Sequence, residues 1–192
     1  MTSKPGERKL QILQTLAQML EQPKGEKITT AALAAHLDLS EAALYRHFAS
    51  KAQMFEGLIE FIEQTVFGLI NKITQEEKSG LKQVEEIMSM LLNFAQKNRG
   101  MTRVLIGDAL VNENERLQQR INQLLDRIET TLKQSLRMAA TQGEMGAEVD
   151  VGAHANVLVC YVIGRWAQFA KSGFTREPMT QWLAQWAILL RK

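Results

Sequence analysis

Residues 28–51 read Ile28-Thr29-Thr30-Ala31-Ala32-Leu33-Ala34-Ala35-His36-Leu37-Asp38-Leu39-Ser40-Glu41-Ala42-Ala43-Leu44-Tyr45-Arg46-His47-Phe48-Ala49-Ser50-Lys51. The spacing predicts two short helices joined at Leu37-Asp38-Leu39. Either Thr29 or Thr30 can cap the first, and Ser40 the second, because a hydroxyl there accepts from an otherwise unpaired amide. Ala31, Ala34 and Ala35 are small enough for the two helices to cross closely and steeply. Leu33, Leu37, Leu39, Leu44 and Phe48 supply the apolar contacts beneath. This is the pattern of a helix-turn-helix, whose second helix enters the major groove of DNA. A plain helical hairpin with capped ends and a solvated polar face would use the same residues, and composition alone does not separate the two.

Outward from this stretch, apolar residues recur at spacings of three and four almost everywhere, and two-residue alternation is nearly absent. Leu10, Leu13, Leu16, Ala17 and Leu20 define a helix before the motif, ended at Pro23–Gly25. Ser50 is a third N-cap, opening a long helix striped by Met54, Leu58, Ile62, Val66, Leu69 and Ile73. Leu81 to Ala95 give another helix, closed at Asn98-Arg99-Gly100, and Arg103 to Leu110 a short one. The cleanest stripe is Leu117, Ile121, Leu124, Ile128, Leu132 and Leu136, with charges on the opposite side. A loop follows at residues 143–147. Two last helices are expected at about 151–172 and 178–190, with Pro178 at a helix start. The expectation is an all-α protein of about nine helices, with a helix-turn-helix domain at 1–51 and a helical core at 52–192.

Of 192 residues, 45% are hydrophobic and 23% charged, ordinary globular usage. The net charge of +2 is too small to argue for nucleic acid by itself. The longest apolar run, Val157 to Ile163, is far short of the roughly 18 residues of a membrane span. Cys160 lies in that run, which predicts a buried, inert thiol. No apolar stretch of a secretory signal is visible near the start, and a reducing cytoplasm is expected. No phosphate-binding glycine loop, Cys-x-x-Cys or His-Glu-x-x-His occurs. The histidines His36, His47 and His154 are not at ligand spacing. Neither catalysis, a metal nor a cofactor is therefore expected.

The exposed side chains suit DNA. Ser40, Glu41, Ala42 and Ala43 are short or polar where the second helix would meet base edges. Tyr45, Arg46, His47 and Lys51 are donors for flanking phosphates. Thr29 and Thr30 stand at a helix start, where amides favour phosphate.

The run Leu44-Tyr45-Arg46-His47-Phe48, then Ser50-Lys51, with one helix before and a long one after, resembles the TetR family of bacterial DNA-binding proteins. A narrower likeness, from about residue 9 to about 138, is to the family's nucleoid occlusion factors. Ser40–Phe48, Leu58-Ile59-Glu60-Phe61-Ile62-Glu63, Arg120-Ile121-Asn122-Gln123-Leu124 and Arg127-Ile128-Glu129 carry it. This resemblance implies a nucleoid-associated homodimer on palindromic double-stranded DNA that antagonises polymers of the division GTPase FtsZ. It implies a DNA face of Thr29, Thr30, Ser40, Ala42, Tyr45, His47 and Lys51. It implies an FtsZ face at Phe61 and along Met90, Asn93, Lys97 and Asn98. The chain departs from the family pattern at Ala49, usually proline, at Leu69, usually arginine, and at Arg99 of the usual Asn-Pro-Gly turn. Its basic N-terminal arm is short, with Lys4, Arg8 and Lys9.

Phe61 and Phe67 lie about 100° or more from the centre of the long helix's stripe. Such a phenylalanine either anchors a partner or packs on another part of the chain. Lys97, Arg99 and Arg103 cluster near a helix end, where cations complement the carbonyl terminus even without a partner. Val162, Trp166, Phe169, Trp182 and Trp186 are expected at a dimer interface, with ordinary core burial as the alternative. The second functional reading is a repressor released by a small ligand. It needs a partly polar cavity within residues 81–170, where Asn93, Asn156 and Gln168 are the few polar candidates.

Overall fold

The computed structural model describes residues 5–22, 28–146 and 148–190, so the expected stop at Pro23–Gly25, and Lys4 and Ala147, lie outside the described residues. These are helical, without a strand: α1 Pro5–Leu20, α2 Thr30–His36, α3 Glu41–Tyr45, α4 Lys51–Glu76, α5 Gly80–Lys97, α6 Arg99–Leu105, α7 Glu115–Thr141, α8 Val151–Lys171 and α9 Trp182–Leu189. A 3-10 turn, Asp108–Leu110, sits between α6 and α7. The expected single helix from Arg103 to Leu110 is thus two pieces, parted where Gly107 takes a left-handed φ of 78°. The last helix starts at Trp182 rather than at Pro178. Arg165 donates to the carbonyls of Glu177, Pro178 and Thr180 and holds that segment in a turn.

Contacts divide the chain into two units. The first comprises residues 1–62 with 99–121, and the second 63–98 with 122–192. In the first unit α1 crosses α6 at Gly100. A Cβ there would stand 1.9 Å from the Ala17 carbonyl oxygen, so only glycine allows the approach. Ile12, Leu16, Leu33, Leu44, Met54, Phe55, Leu58 and Ile59 fill the core beneath.

The second unit packs α5, α7 and α8. Gly80 approaches α7 equally closely, its missing Cβ 2.3 Å from the Ala139 amide. The turn after α7 caps α5: Gln142 Oε1 accepts from the Gly80 amide and Glu144 from the Leu81 amide, both at 2.8 Å. Burial in this core falls on Gln83 and Ser135 rather than on Asn93, Asn156 or Gln168, which are half-buried or exposed. Ser135 donates to Gln83 Oε1 at 2.8 Å, and Gln83 donates to the carbonyls of Thr74 and Glu77. Among the described residues no buried side-chain polar atom lacks a partner.

Two readings of single residues are corrected, Leu69 and Cys160, and Phe67 takes the packing alternative. Leu69 is 41% exposed while Phe67 is 6% exposed under the Arg127 guanidinium, 3.7 Å from the ring centroid. The buried face of α4 swings by roughly 90° between Met54–Ile62 and Val66–Ile70. One straight stripe therefore misplaces the second half. Cys160 is exposed, because α8 buries Leu158, Val159 and Val162 and turns Val157, Cys160 and Gly164 outward.

Candidate nucleic-acid interface and partner surfaces

The helix-turn-helix is made by local bonds. Thr29 caps α2, its hydroxyl accepting from the Ala32 amide at 3.1 Å. Ser40 caps α3 by accepting from the Ala43 amide at 3.2 Å. Between them Asp38 adopts a φ of 52°. The Leu39 amide reaches back to Ala34 O and the Asp38 amide to Ala35 O, a closure that needs one left-handed residue, which aspartate tolerates. The turn is thereby fixed without glycine. Leu33, Ala34, Leu37, Leu44 and Phe48 are buried under it, whereas Ala31 and Ala35 are exposed rather than at the crossing.

The outer face carries Thr29, Ser40, Glu41, Ala42, Tyr45 and Arg46, all exposed, with Thr30, His47 and Lys51 half-buried. Two partnerships on it have no signal in the sequence. Thr30 donates its hydroxyl to Glu41 at 2.6 Å and accepts from the Tyr45 hydroxyl at 3.4 Å. This ties the start of α2 to the first turn and end of α3. Lys51, the first residue of α4, forms an ion pair with Glu113.

The α5 edge is accessible in part. Lys97 is exposed, and Met90, Asn93 and Asn98 are half-buried. The side-chain Nδ2 of Asn93 donates to Ser89 O at 3.0 Å, and that of Asn98 to Phe94 O at 2.7 Å, so both also finish local turns. Met90 and Asn93 line a groove with Ile73, Glu85, Trp182 and Leu183. Phe61, on the first unit's part of α4, is 39% exposed.

The residues expected at a dimer interface turn inward. Val162, Trp166 and Phe169 are at most 2% exposed within a single chain, and the Trp166 indole N–H donates to Leu91 O at 3.1 Å. Trp182 and Trp186 are also buried, stacked with centroids 5.3 Å apart. These five side chains have almost no surface left for a second copy. The large apolar side chains exposed on α8 and α9 are Val157, Leu183 and Ile188.

Residues 12–58 match the model of bacterial regulatory proteins of the tetR family. Residues 78–192 match a tetracyclin repressor-like C-terminal domain of the SlmA-like type. The nucleoid occlusion factor SlmA of Alteromonas mediterranea is 53% identical, covering 94% of this chain and 92% of its own. The chain belongs to the SlmA branch of the TetR family. SlmA of a Marinomonas species is 49% identical over 98% of this chain and 96% of its own. The TetR regulator PfmR of Thermus thermophilus superposes with a TM-score of 0.78 at 23% identity, covering 94% and 97% of the two chains. FadR of Bacillus subtilis, solved with stearoyl-CoA, gives 0.76 at 14% identity with the same coverage, a likeness of fold alone. The SlmA-branch chain is therefore a DNA-binding nucleoid occlusion factor and not an enzyme. No helix among its described residues is long and apolar enough to cross a membrane.

Proposed function

We propose that this SlmA-branch chain binds palindromic chromosomal DNA as a homodimer and, when bound, antagonises FtsZ polymers, keeping the septum off the nucleoid. The observation that carries this is the likeness to SlmA factors at about half identity over nearly the whole chain. On this reading Thr29, Thr30, Ser40, Ala42, Tyr45, His47 and Lys51 meet DNA. Phe61 and the α5 edge of Met90, Asn93, Lys97 and Asn98 meet FtsZ. The exposure of Ala42 and Tyr45 supports the first assignment, and that of Phe61 and Lys97 the second. One helix-turn-helix makes few base contacts, and a two-fold pair reads two half-sites. The apolar positions Val157, Leu183 and Ile188, rather than the buried tryptophans, are the surface offered to the second copy.

The factor acts in the cytoplasm, on the nucleoid. The full pairing of Gln83 and Ser135 favours a packed core over the ligand cavity of a repressor. Sedimentation of FtsZ polymers with the protein, with and without its selected palindromic duplex, tests the proposal. DNA-bound protein should reduce polymer mass or length. Unchanged polymers would return the chain to ordinary repression.

A further inference from the structure

We infer that Glu113, outside the helix-turn-helix, holds down DNA affinity, because it competes with phosphate for the Lys51 ammonium. The inference rests on the reading of Lys51 as a phosphate contact. Lys51 opens α4, six residues after α3 ends, where the chain leaves the recognition helix. Its ammonium is paired with the Glu113 carboxylate, with side-chain exposures of 20% and 13%, and it lies 5.7 Å from the Phe55 ring centroid. A pair this sheltered is screened less by salt than one in open water.

The carboxylate is presented by a pinned turn. The Glu113 amide donates to Leu110 O at 3.0 Å, and Asn112 before it is left-handed at φ 65°. At the other end of the segment, Asp108 pairs with Arg103 at 2.6 Å, and Arg103 donates to the Gln22 carbonyl at 3.0 Å. Both ion pairs line one cleft with Ile28 and Phe55. Glu113 is therefore held against Lys51 from outside the DNA-binding motif.

The consequence differs for the two kinds of DNA. Non-specific binding is almost entirely phosphate contact, so each available cation adds to it. On a non-cognate duplex no base contact fixes a phosphate beside α4, and Lys51 stays with Glu113. On the cognate site the base contacts of α3 set the register, and a phosphate is held where it can take Lys51 over. Glu113 thus withholds one cation from non-specific binding, and at the operator its ion pair must be broken before Lys51 can meet phosphate.

The test is a double-mutant cycle of Glu113→Gln and Lys51→Gln on the full chain. Fluorescence anisotropy is read across salt concentrations, with the palindrome the protein selects from a random pool and a scrambled duplex of equal length. Glu113→Gln should tighten scrambled-DNA binding about two- to fivefold, the size of one exposed ion pair. It should also steepen the slope of log affinity against log salt by about 0.9, that of one added phosphate contact. Cognate affinity should rise by at least as much, because the wild type breaks the ion pair at the operator and the variant has none to break. Both effects should vanish when Lys51 is Gln, and Asp108→Asn, which removes the same charge from the same segment, should produce neither. Glu113→Asp, a gentler change, should move both quantities the same way by less. An unchanged slope in Glu113→Gln overturns the inference, as does an equal gain with Lys51 already replaced. A Lys51→Gln variant with unaltered cognate binding overturns the phosphate-contact reading itself.

Discussion

On the proposed reading, truncating Phe61 should separate DNA binding from FtsZ antagonism, and truncating Phe67, six residues on, should not. Full burial of a phenylalanine stabilises by about 1.5–3 kcal/mol relative to exposure. Phe61 already leaves 39% of its surface in water. Phe61→Ala should therefore cost about 1–2 kcal/mol of stability, with little cavity left behind. Phe67 is 6% exposed and covered by Arg127. Its removal loses the transfer term, a cavity term and the cation–π contact, about 3–5 kcal/mol together. At about 2–4 °C per kcal/mol for a chain this long, Phe61→Ala should melt about 2–8 °C low and Phe67→Ala well below that. If Phe61 anchors FtsZ, its truncation should weaken that binding by about 1–3 kcal/mol, or about 5- to 150-fold. Operator affinity should stay within about twofold, since a surface truncation away from the motif moves stability and structure little. Thermal melts, operator anisotropy and FtsZ sedimentation on the same preparations decide the matter. Intact FtsZ antagonism in Phe61→Ala refutes the reasoning. So does a melting temperature as low as that of Phe67→Ala with both activities lost.

Gly100→Ala should cost more than the roughly 1–3 kcal/mol of ordinary overpacking, because its Cβ meets the Ala17 backbone and not a yielding side chain. A lowered urea midpoint with weakened DNA binding checks this. Trp166→Phe should lose about 1–3 kcal/mol through the missing indole bond and the void. That loss should be the same at all protein concentrations, as a residue inside one chain requires; a loss that shrinks at high concentration would put Trp166 at an interface. The amides of Ala153 and Gly152 hold the Asp150 carboxyl below the ordinary aspartate range at the start of α8. A lowered folded-state value means stabilisation that is present above the unfolded value and lost as pH falls through the folded one. The wild-type melting temperature should therefore drop more steeply than that of Asp150→Asn below about pH 4.

The helix-turn-helix was legible because everything that makes it is local. Thr29 and Ser40 accept from amides three residues on. Asp38 turns left-handed so that its own amide and that of Leu39 reach back to Ala35 O and Ala34 O. Leu33, Leu37 and Leu44 are buried whichever helices lie beneath. The long helix was legible as a helix but not in its facing. Phe67 and Leu69 exchange roles because the buried arc turns part-way along α4, and only distant residues such as Arg127 decide that. Val157 to Ile163 is apolar on every side, so periodicity there cannot say that Cys160 points out. Pro178 has the backbone angle of a helix start, yet Arg165, 13 residues earlier, holds its carbonyl in a turn. Glu113 and Glu41 had no sequence signal at all, since each works through a partner 62 or 11 residues away.

The same distinction explains why three surfaces on one small chain can be argued apart. A tryptophan-rich helix pair advertises burial, but periodicity gives only the face, never whose atoms cover it. In α8 and α9 the large rings cover one another, with Tyr161 and Trp182 at 6.3 Å and Trp182 on Trp186. What is left outside is smaller: Val157, Leu183 and Ile188. The face proposed for DNA is built oppositely, from short polar residues over a capped helix start. Phe61 is a third case, a large ring left partly in water on a helix that had room to bury Phe67. Exposed groups contribute less to the fold than buried ones, so replacing them changes binding with a smaller effect on folding. On the proposed reading the separation runs one way. Changes at Phe61 should spare dimerisation and operator binding, whereas changes at the dimer surface should weaken operator binding. Changes at either that surface or the DNA face should lower FtsZ antagonism, which needs bound DNA.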